Sequence, residues 1–472
     1  MILYNTLSRA KEVFQPIKDK KAGLYSCGPT VYNYAHIGNL RTYVFVDIVK
    51  RALIFNGYKV KHVMNITDVG HLTSDADAGE DKLEKGAARE QKTVWEIADF
   101  YTQAFKNDLA KLNITPPKIW ARATDHIKDQ IALIKKLQKK GFAYETSKAV
   151  YFETAKFQNY GQLGKLKLAD QITGAGERLE TGVVEVDPEK KQPQDFVLWF
   201  KCVGKYADHA MHWPSPWGEG FPGWHIECSA MSMKYLGNYF DIHTGGADHI
   251  NVHHTNELAQ SEAATGVKFV NYWLHGAFLN IASGEKMAKS GENFITLETI
   301  TRKGFTPLSL RYLILTAHYR SPADFSWESL KAAQNGLHNL YAVIIKIANQ
   351  KVARKVQAAS AVEKYAQDFS QAVNDDLNTA QALAVVWNLA RNADVPFLAK
   401  KKLLTKFDQV LGLNLPLKRQ IIPFEIMQMV NEREQMRAEK NFASADVLRQ
   451  KISDAGYLIE DTSDGPIIIK LN

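Results

Sequence analysis

The sequence predicts an α/β protein, in which a core built on a parallel sheet is interrupted by an insertion and followed by helices. Three observations support this prediction. Short apolar runs alternate with amphipathic segments in the first hundred residues and again after residue 196. A polar, charge-rich stretch separates these two regions. After about residue 300, apolar residues recur every three or four positions, which is typical of helices packed in a bundle.

The first region opens a parallel α/β unit. GLYSC predicts a buried strand, a Gly- and Pro-bearing turn follows, and LRTYVFVDIVKRALIFNGY predicts a helix that Gly57 ends. KVKHVMNIT predicts the next strand and KTVWEIADFYTQAFKNDLAKL a further helix. The polar residues between them, Val69–Arg89, read as a mobile loop that follows a strand end and is placed to cover a site.

Four boundaries divide the chain into five segments. ITPPKI marks a break, after which one helix and a strand pair form an insertion. The α/β pattern then resumes with WHIECSAMSMKYLG as a helix, YFDIHTGG as a strand, HINVHHTNELAQSEAATG as a helix and VNYWLHGAFLN as a strand. A helical pair with a short hairpin closes the chain. The predicted segments are 1–115 and 196–300 for the two halves of the core, 116–195 for the insertion, 301–415 for the helical bundle and 416–472 for the small terminal unit.

Composition narrows the class of protein. The 472 residues are 45% hydrophobic, which suits two to four domains with real cores. No run of eighteen apolar residues occurs, so we expect no membrane span, and the N-terminus lacks a signal-peptide layout. Three cysteines, an odd number in a long chain, favour a reducing, cytoplasmic setting over a disulfide framework. The net charge of +8 is compatible with a polyanionic partner such as RNA.

Four scattered residues have the chemistry of a metal site. Cys27 ends a predicted strand, Cys228 lies in a predicted helix, and His253 and Glu257 stand four apart on one helical face. Thiolate, imidazole and carboxylate together are a good zinc set. None belongs to a CxxC module, so only a folded core could bring them together, and such a zinc could face a cavity. The alternative is a pair of buried cysteines beside a polar helix.

Two short motifs have the chemistry of a phosphate site. His36-Ile37-Gly38-Asn39 opens the helix after the first core strand, where backbone N–H groups and the helix dipole favour anions. Gly38 permits close approach to the backbone, and His36 and Asn39 add side-chain donors. In SGEKMAKSGEN, Lys286 and Lys289 stand three apart and could clamp a triphosphate. A helix cap and a solvated lysine loop are the alternatives.

HIGN and KMAKS, in that order around an α/β core, resemble the HIGH and KMSKS elements of class I aminoacyl-tRNA synthetases. The surrounding strings CGPTVYNYAHIGN, NITD, DFVLW, GWHIECSAM, HHTNELAQS and HYRSPADFS look like those of the cysteinyl-tRNA synthetase family over nearly the whole chain. The resemblance implies a Rossmann-like catalytic core, a helical bundle that contacts the tRNA stem, and an anticodon-binding-like terminal unit. It also implies a monomer.

The resemblance assigns roles position by position. It implies the same four zinc ligands, Cys27, Cys228, His253 and Glu257. It places Trp224 against the bound amino acid and Thr67 near it, Lys289 on ATP and Asp248 near the nucleotide. Together with HIGN it implies His36, Asn39, Lys286 and Lys289 as catalytic residues and Gly38 as an ATP contact.

The sequence departs from the family pattern at several positions. Asn39 replaces the second His of HIGH, Ala288 the first Ser of KMSKS, and Phe221 the Arg usual before PGWHIEC. Val69–Arg89 is longer than the short acidic run usual after NITD. We expect ATP binding to be retained, because the amide of Asn39 can still donate. The effects of these changes on turnover, and the role of Cys202, stay open.

The implied reaction has two steps. The carboxylate of L-cysteine attacks the α-phosphate of Mg²⁺-bound ATP, and a terminal ribose hydroxyl of tRNA-Cys then attacks the acyl carbon and displaces AMP. Zinc prefers thiolate to alcohol oxygen, so it would separate cysteine from serine without an editing domain. Two alternatives remain: a cysteine:aminosugar ligase of thiol biosynthesis, which has less need for residues 331–472, and a non-catalytic zinc-stabilised tRNA-binding paralogue.

Overall fold

A computed structural model describes residues 1–70, 72–74, 78–165, 187–281, 294–349, 359–417, 422–462 and 465–470. It divides the chain into two compact units. Unit 1 comprises residues 1–299 with 319–324, and unit 2 comprises residues 300–318 with 325–472. The KMAKS lysines Lys286 and Lys289 lie outside the described residues.

The elements of unit 1 follow the predicted alternation closely. Their bounds, up to the last core strands, are β1 Ile2–Asn5, β2 Ala10–Val13, β3 Lys21–Ser26, α1 Ile37–Phe55, β4 Lys59–Ile66, β5 Leu72–Ser74, β6 Ala78–Asp81, α2 Lys82–Glu90, α3 Val94–Lys111, β7 Ile119–Arg122, α4 Ile127–Lys139, β8 Ala143–Glu145, β9 Ala149–Phe152, β10 Phe196–Lys201, β11 Trp213–Ser215, β12 Gly218–Pro222, α5 Trp224–Leu236, β13 Phe240–Gly246, α6 His253–Thr265, β14 Val270–Gly276 and β15 Leu279–Ile281.

The core of unit 1 is a parallel sheet in the order β14-β13-β3-β4-β7. From β3 the chain moves one way through α1 to β4 and β7, and later the other way to β13 and β14. The strand order therefore reverses between β3 and β13. In open α/β sheets, ligands bind at the carboxyl ends of the strands on either side of such a switch point. β7 lies beyond residue 115, so the sheet includes residues that the sequence assigned to the insertion.

Helix α1 forms because most of its side chains are buried and its start is well capped. Leu40, Val44, Ile48 and Val49 are buried against the sheet. His36 is the N-cap and forms a capping box with Asn39, which satisfies backbone N–H groups that the first turn leaves unpaired.

A second sheet, antiparallel and in the order β11-β12-β10-β9-β8, spans residues 143–222. Its core is aromatic: Phe152 stacks on Phe196 at 5.0 Å between ring centroids, and Trp199 is fully buried. Leu133 and Leu137 of α4 pack against the same cluster. The sheet spans the predicted boundary at residue 195.

The prediction of a mobile loop over Val69–Arg89 is wrong for most of its length. β5 and β6 form a hairpin, and α2 begins directly after it. Asp81 is the N-cap of α2, and its carboxylate accepts from the backbone N–H groups of Leu83 and Glu84. The sequence gives little sign of this helix, because its buried face consists only of Leu83, Gly86 and Ala87.

Unit 2 is helical with a closing hairpin. Helix α7, Leu297–Arg302, spans the boundary between the two units along the chain, and most of β16, Ala323–Phe325, belongs to the segment of unit 1 that interrupts unit 2. The other elements are α8 Pro307–Leu315, α9 Trp327–Asn349, α10 Ala359–Asn374, α11 Thr379–Arg391, α12 Phe397–Leu411, α13 Phe424–Ala438, α14 Phe442–Asp454, β17 Tyr457–Thr462 and β18 Gly465–Lys470. Arg311 of α8 is fully buried and donates from Nε to the Leu411 carbonyl at 2.7 Å. The α/β core and the helical C-terminal region confirm the predicted fold class.

No helix in the described part of the chain has the length and apolar character needed to cross a membrane.

Candidate metal centre and its surroundings

The structure brings the four predicted metal ligands together at the switch point of the sheet. Cys27 directly follows β3, Cys228 lies in the second turn of α5, and His253 and Glu257 face the same way from the first turns of α6. All four are buried, and one ligand atom from each lies within 4.8 Å of the others. Nothing in the sequence joins these segments, so it is the parallel sheet that places them side by side.

The spacing of the donor atoms suits a small tetrahedral ion. Nε2 of His253 lies 2.9 Å from Oε1 of Glu257, and Sγ of Cys27 lies 3.9 Å from the same oxygen. Ligands at the usual Zn–S and Zn–N distances are about 3.3–3.8 Å apart in a tetrahedron. The residues therefore fit a zinc ion with little rearrangement.

A second combination of donors overlaps the first. Cys27, His243, His254 and Glu257 also lie within 4.8 Å of one another. Nε2 of His254 is 3.2 Å from Sγ of Cys27, and Nε2 of His243 is 3.0 Å from Oε2 of Glu257. Neither histidine stands out in the sequence, because His254 points about 100° away from its neighbour His253 on the helix and His243 stands alone in a strand. The sequence carries no signal of their approach to Cys27 and Glu257, because that depends on which strands lie side by side.

The histidines form a connected layer beneath the four predicted ligands. Nδ1 of His254 lies 2.7 Å from Nε2 of His275, whose Nδ1 lies 2.7 Å from the hydroxyl of Thr6. Nδ1 of His225 lies 3.0 Å from Nδ1 of His253. These contacts fix the ring orientations of His253 and His254, as outer partners of metal ligands usually do.

The pKa values of the four predicted ligands are those expected of a site that binds a cation. Burial opposes ionisation of Cys228, but hydrogen bonds from Cys27 and His253 lower its pKa to about 6. Burial is likewise outweighed at Glu257, where His243 and His253 lower the carboxyl pKa to about 2. Burial and the neighbouring Cys228 raise the pKa of Cys27. Glu257 and Cys228 outweigh burial at His253 and raise its pKa to about 10. A divalent cation would displace the protons held among these donors.

Of the two residues expected near the amino acid, Trp224 borders this centre directly and Thr67 lies in a segment tied to it. The ring of Trp224 stacks on His253 with 4.1 Å between centroids. Thr67 is buried after β4, and its hydroxyl accepts from Nδ2 of Asn65 at 3.0 Å. The same Asn65 accepts from the backbone N–H of Gly28 at 2.7 Å, which ties the Thr67 segment to the residue after Cys27.

The HIGN motif begins α1 at the same edge of the sheet. The backbone N–H of Asn39 donates to Nδ1 of His36 at 3.1 Å, and Oδ1 of Asn39 accepts from the backbone N–H of His36 at 3.3 Å. Capping therefore uses the acceptor atoms of both side chains, while the amide nitrogen of Asn39 takes no part in the capping box. Phe294, the first described residue after the KMAKS segment, stands edge-on to His36 at 6.0 Å.

The other two predicted binding residues, Asp248 and Gly38, are described here by the elements in which they lie. Asp248 lies in a short 3₁₀ turn between β13 and α6, and its side chain is half exposed. Gly38 is in the first turn of α1.

A solved structure shares the fold of this chain. The chain is similar to Mycobacterium tuberculosis methionyl-tRNA synthetase bound by methionyl-adenylate, with a TM-score of 0.56 and 14% identity over 83% of this chain and 88% of that chain. Residues 13–335 match the family described as tRNA synthetases class I (C) catalytic domain, and residues 368–415 match the DALR domain. The fold and these matches define a class I tRNA synthetase.

Curated relatives narrow the class. The chain is 48% identical to cysteine–tRNA ligase 1 of Burkholderia lata over 98% of this chain and 96% of the relative. It is 46% identical to the cysteine–tRNA ligase of Treponema denticola over 97% of each chain. The chain belongs to the cysteine–tRNA ligase family, which makes it an aminoacyl-tRNA ligase. The resemblance found in the sequence is confirmed.

Proposed function

We propose that the chain is a zinc-dependent cysteine–tRNA ligase, which activates L-cysteine with ATP to cysteinyl-adenylate and transfers the cysteinyl group to the 3′ end of tRNA-Cys. The observation that supports this most directly is the convergence of four buried donors beside Trp224. They lie at the edge of the sheet where α1 presents its N-terminus.

Cys27, Cys228, His253 and Glu257 are the proposed zinc ligands. This set is favoured over the one with His243 and His254, because it offers two thiol sulfurs and zinc is borderline-soft. His243 and His225 then act as outer partners, since their ring nitrogens lie 3.0 Å from Glu257 and His253 respectively. Bound zinc supplies a site that prefers the thiolate of cysteine to the hydroxyl of serine.

The chain's own residues would complete the amino-acid pocket. Trp224 closes one side with its ring and is held there by its stack on His253. Thr67 presents a hydroxyl from the segment that Asn65 fastens to Gly28. Because Cys228, Glu257 and His253 are fully buried or nearly so, bulk water is kept from the floor of the pocket.

Activation needs the phosphates of Mg²⁺-bound ATP to lie at the start of α1. The amino acid carboxylate attacks the α-phosphorus, the bond to the bridging oxygen breaks, and pyrophosphate leaves. Backbone N–H groups around Gly38, with the side chains of His36 and Asn39, would hold the phosphates, and Lys286 and Lys289 would neutralise the leaving pyrophosphate. In the second step a ribose hydroxyl of tRNA attacks the acyl carbon, the bond from that carbon to the phosphate oxygen breaks, and AMP leaves with the hydroxyl proton on its phosphate.

Basic residues in and just after α12 are candidates for phosphate contacts with tRNA. Lys400 does not suit this role, because it is buried and its ammonium donates to the Ala390 carbonyl at 3.0 Å. Lys402 and Lys406 are exposed, while Lys418 and Arg419 lie outside the described residues. Exposed lysines on this helix are compatible with contacts to the tRNA backbone.

The test incubates the purified enzyme with labelled cysteine, Mg²⁺-ATP and total tRNA, and counts acid-precipitable label that mild base releases. We expect label on tRNA with cysteine and none with serine. Cysteine-dependent pyrophosphate exchange without label on tRNA would instead indicate a ligase that uses a small amine. Absence of exchange would contradict the proposal.

A further inference from the structure

Glu227 carries a buried carboxyl group beside the proposed metal centre, yet it belongs to neither candidate set of metal donors. It lies in the first turn of α5, and its side chain is fully buried. Neither of its carboxyl oxygens has a hydrogen-bond partner among the described residues. An unpaired carboxylate in a protein interior is costly, so buried acids normally have a cationic partner or several hydrogen-bond donors. The described part of the chain supplies neither, which indicates that a ligand does.

Glu227 faces the predicted amino-acid pocket. It stands three residues after Trp224 and one before Cys228, so these three side chains share one face of α5. Thr67 faces the carboxyl group from the segment after β4, without a well-formed hydrogen bond. Gly70 encloses the same side, because a Cβ atom there would lie 3.6 Å from Oε1 of Glu227. The carboxyl group is therefore next to both residues expected near the amino acid.

The charges around Glu227 favour a cationic ligand. Burial, followed by the negative charges of Cys228, Asp68 and Asp81, raises the pKa of the Glu227 carboxyl group. Asp68 is paired with Nε of Arg122 at 2.8 Å, and Asp81 accepts from the first backbone N–H groups of α2. Cys228 is a proposed metal ligand. Within the described residues, Glu227 is thus the acid of this group whose charge has no compensation, and a cation beside it would offset the penalty.

The substrate carries a cation that must lie close to this carboxyl group. In L-cysteine the ammonium is separated from the sulfur by only two carbon atoms, so a metal-bound thiolate holds the ammonium beside a metal ligand. The substrate carboxylate must point toward the start of α1 to attack ATP, which leaves another wall of the pocket for the ammonium. Cys228 is as deeply buried as Glu227, so a path that admits the thiol to the metal also reaches the neighbouring carboxyl group.

We propose that Glu227 binds the α-ammonium of L-cysteine and selects thiols that carry a free amino group. This inference rests on the proposed function, because the ammonium lies there only if the metal holds the substrate thiolate. The ammonium supplies the counter-charge that Glu227 lacks, and Thr67 offers its hydroxyl oxygen to the same group. A thiol without the ammonium leaves the carboxyl group buried and unpaired, so the pocket rejects it.

The test measures the binding of two thiols to zinc-loaded enzyme by titration calorimetry, without ATP or tRNA. 3-Mercaptopropionate has the thiol and carboxylate of L-cysteine but no ammonium. The wild type should bind it at least about tenfold more weakly than cysteine. Glu227→Gln, which keeps the shape of the side chain and removes its charge, should bind the two thiols with similar affinity, because its binding of cysteine alone is weakened. Its zinc affinity, from competition with a chromogenic chelator, should equal that of the wild type.

The matched control is Glu262→Gln, in a half-buried acid near the C-terminal end of α6. Glu262 accepts from the backbone N–H of Phe269 at 3.0 Å, which a glutamine oxygen can also do. This variant should retain the wild-type ratio of the two affinities. An unchanged ratio in Glu227→Gln would overturn the inference. Equal weakening of both thiols together with weaker zinc binding would also overturn it, because Glu227 would then only support Cys228.

The wild type decides the question even if Glu227→Gln does not fold. Similar affinities of the wild-type enzyme for cysteine and 3-mercaptopropionate would overturn the inference without any variant. Failure of zinc-loaded wild type to bind either thiol would contradict the proposed function, and this inference with it. Tight, zinc-dependent binding of cysteine with an unchanged ratio in Glu227→Gln would overturn the role of Glu227 alone.

Discussion

Gly28 follows the proposed ligand Cys27, and its substitution by alanine should disturb the metal centre without touching a ligand. A Cβ atom at this position would lie 1.8 Å from the carbonyl oxygen of Asn65 and 2.9 Å from its carbonyl carbon. Since Cβ atoms essentially never come closer than 3.0 Å to such atoms, the two backbone segments must separate by about 1.2 Å. The clash is with backbone, so no side-chain rotation can relieve it.

A displacement of this size is large for a zinc site, whose metal–ligand distances vary by about 0.2 Å. It also strains the hydrogen bond from the Gly28 N–H to Asn65, which positions the Thr67 segment. We expect Gly28→Ala to weaken zinc affinity by about 10- to 100-fold, the range found when outer partners of a metal site are changed. This corresponds to about 1.4–2.8 kcal/mol.

The assay is zinc affinity from competition with a chromogenic chelator, with the melting temperature of each variant measured in parallel. Gly23→Ala is the matched control, because Gly23 lies in β3, the strand that leads to Cys27, and its Cβ would meet its nearest neighbour at 3.5 Å, an ordinary contact. Gly23→Ala should bind zinc as the wild type does. Equal zinc affinity in Gly28→Ala and Gly23→Ala would refute the reasoning.

Two further predictions concern acid stability and Lys289. Burial and the nearby Lys50 lower the pKa of His62 to about 3. Below about pH 6.5 the unfolded chain therefore binds a proton at His62 that the folded chain does not bind. The free energy of unfolding falls as the pH decreases from about 6.5 toward 3. Urea unfolding at pH 7.5 and pH 4.5 measures this effect. Between these two pH values, the free energy of unfolding of His62→Gln, whose side chain can still bond Ser26, should fall by about 2–3 kcal/mol less than that of the wild type. Equal decreases in the two proteins would contradict this. Lys289→Ala should lower kcat for pyrophosphate exchange far more than it raises KM for cysteine, whereas equal effects on both would count against a role in the transition state.

Much of the fold was predictable because its elements are long and strongly periodic. The strand ending at Cys27, the helix starting at Ile37 and the strand of β13 all carry clear patterns in the sequence. Helix α2 was missed because Leu83 and Ala87 give too small an apolar face, and its start depends on the cap supplied by Asp81. β7 was missed because it has only four residues and follows a proline pair.

The candidate site was predictable where chemistry restricts the residue type. Two cysteines, with a histidine and a glutamate that stand four residues apart on one helical face, indicate a metal site. The structure brings these side chains within reach of one another. The roles of His243, His254 and His275 were not predictable, because they depend on which strands lie side by side. That information is in the strand order, and sequence spacing does not contain it.

The central claim is that a zinc ion held by Cys27, Cys228, His253 and Glu257 selects cysteine. The most direct measurement is pyrophosphate exchange with cysteine or serine, in enzyme as purified, after zinc removal, and after zinc is restored. We predict exchange with cysteine alone, its loss with the metal, and its return on adding Zn²⁺. Cysteine-dependent exchange that persists undiminished in enzyme verified to be free of zinc would contradict the account.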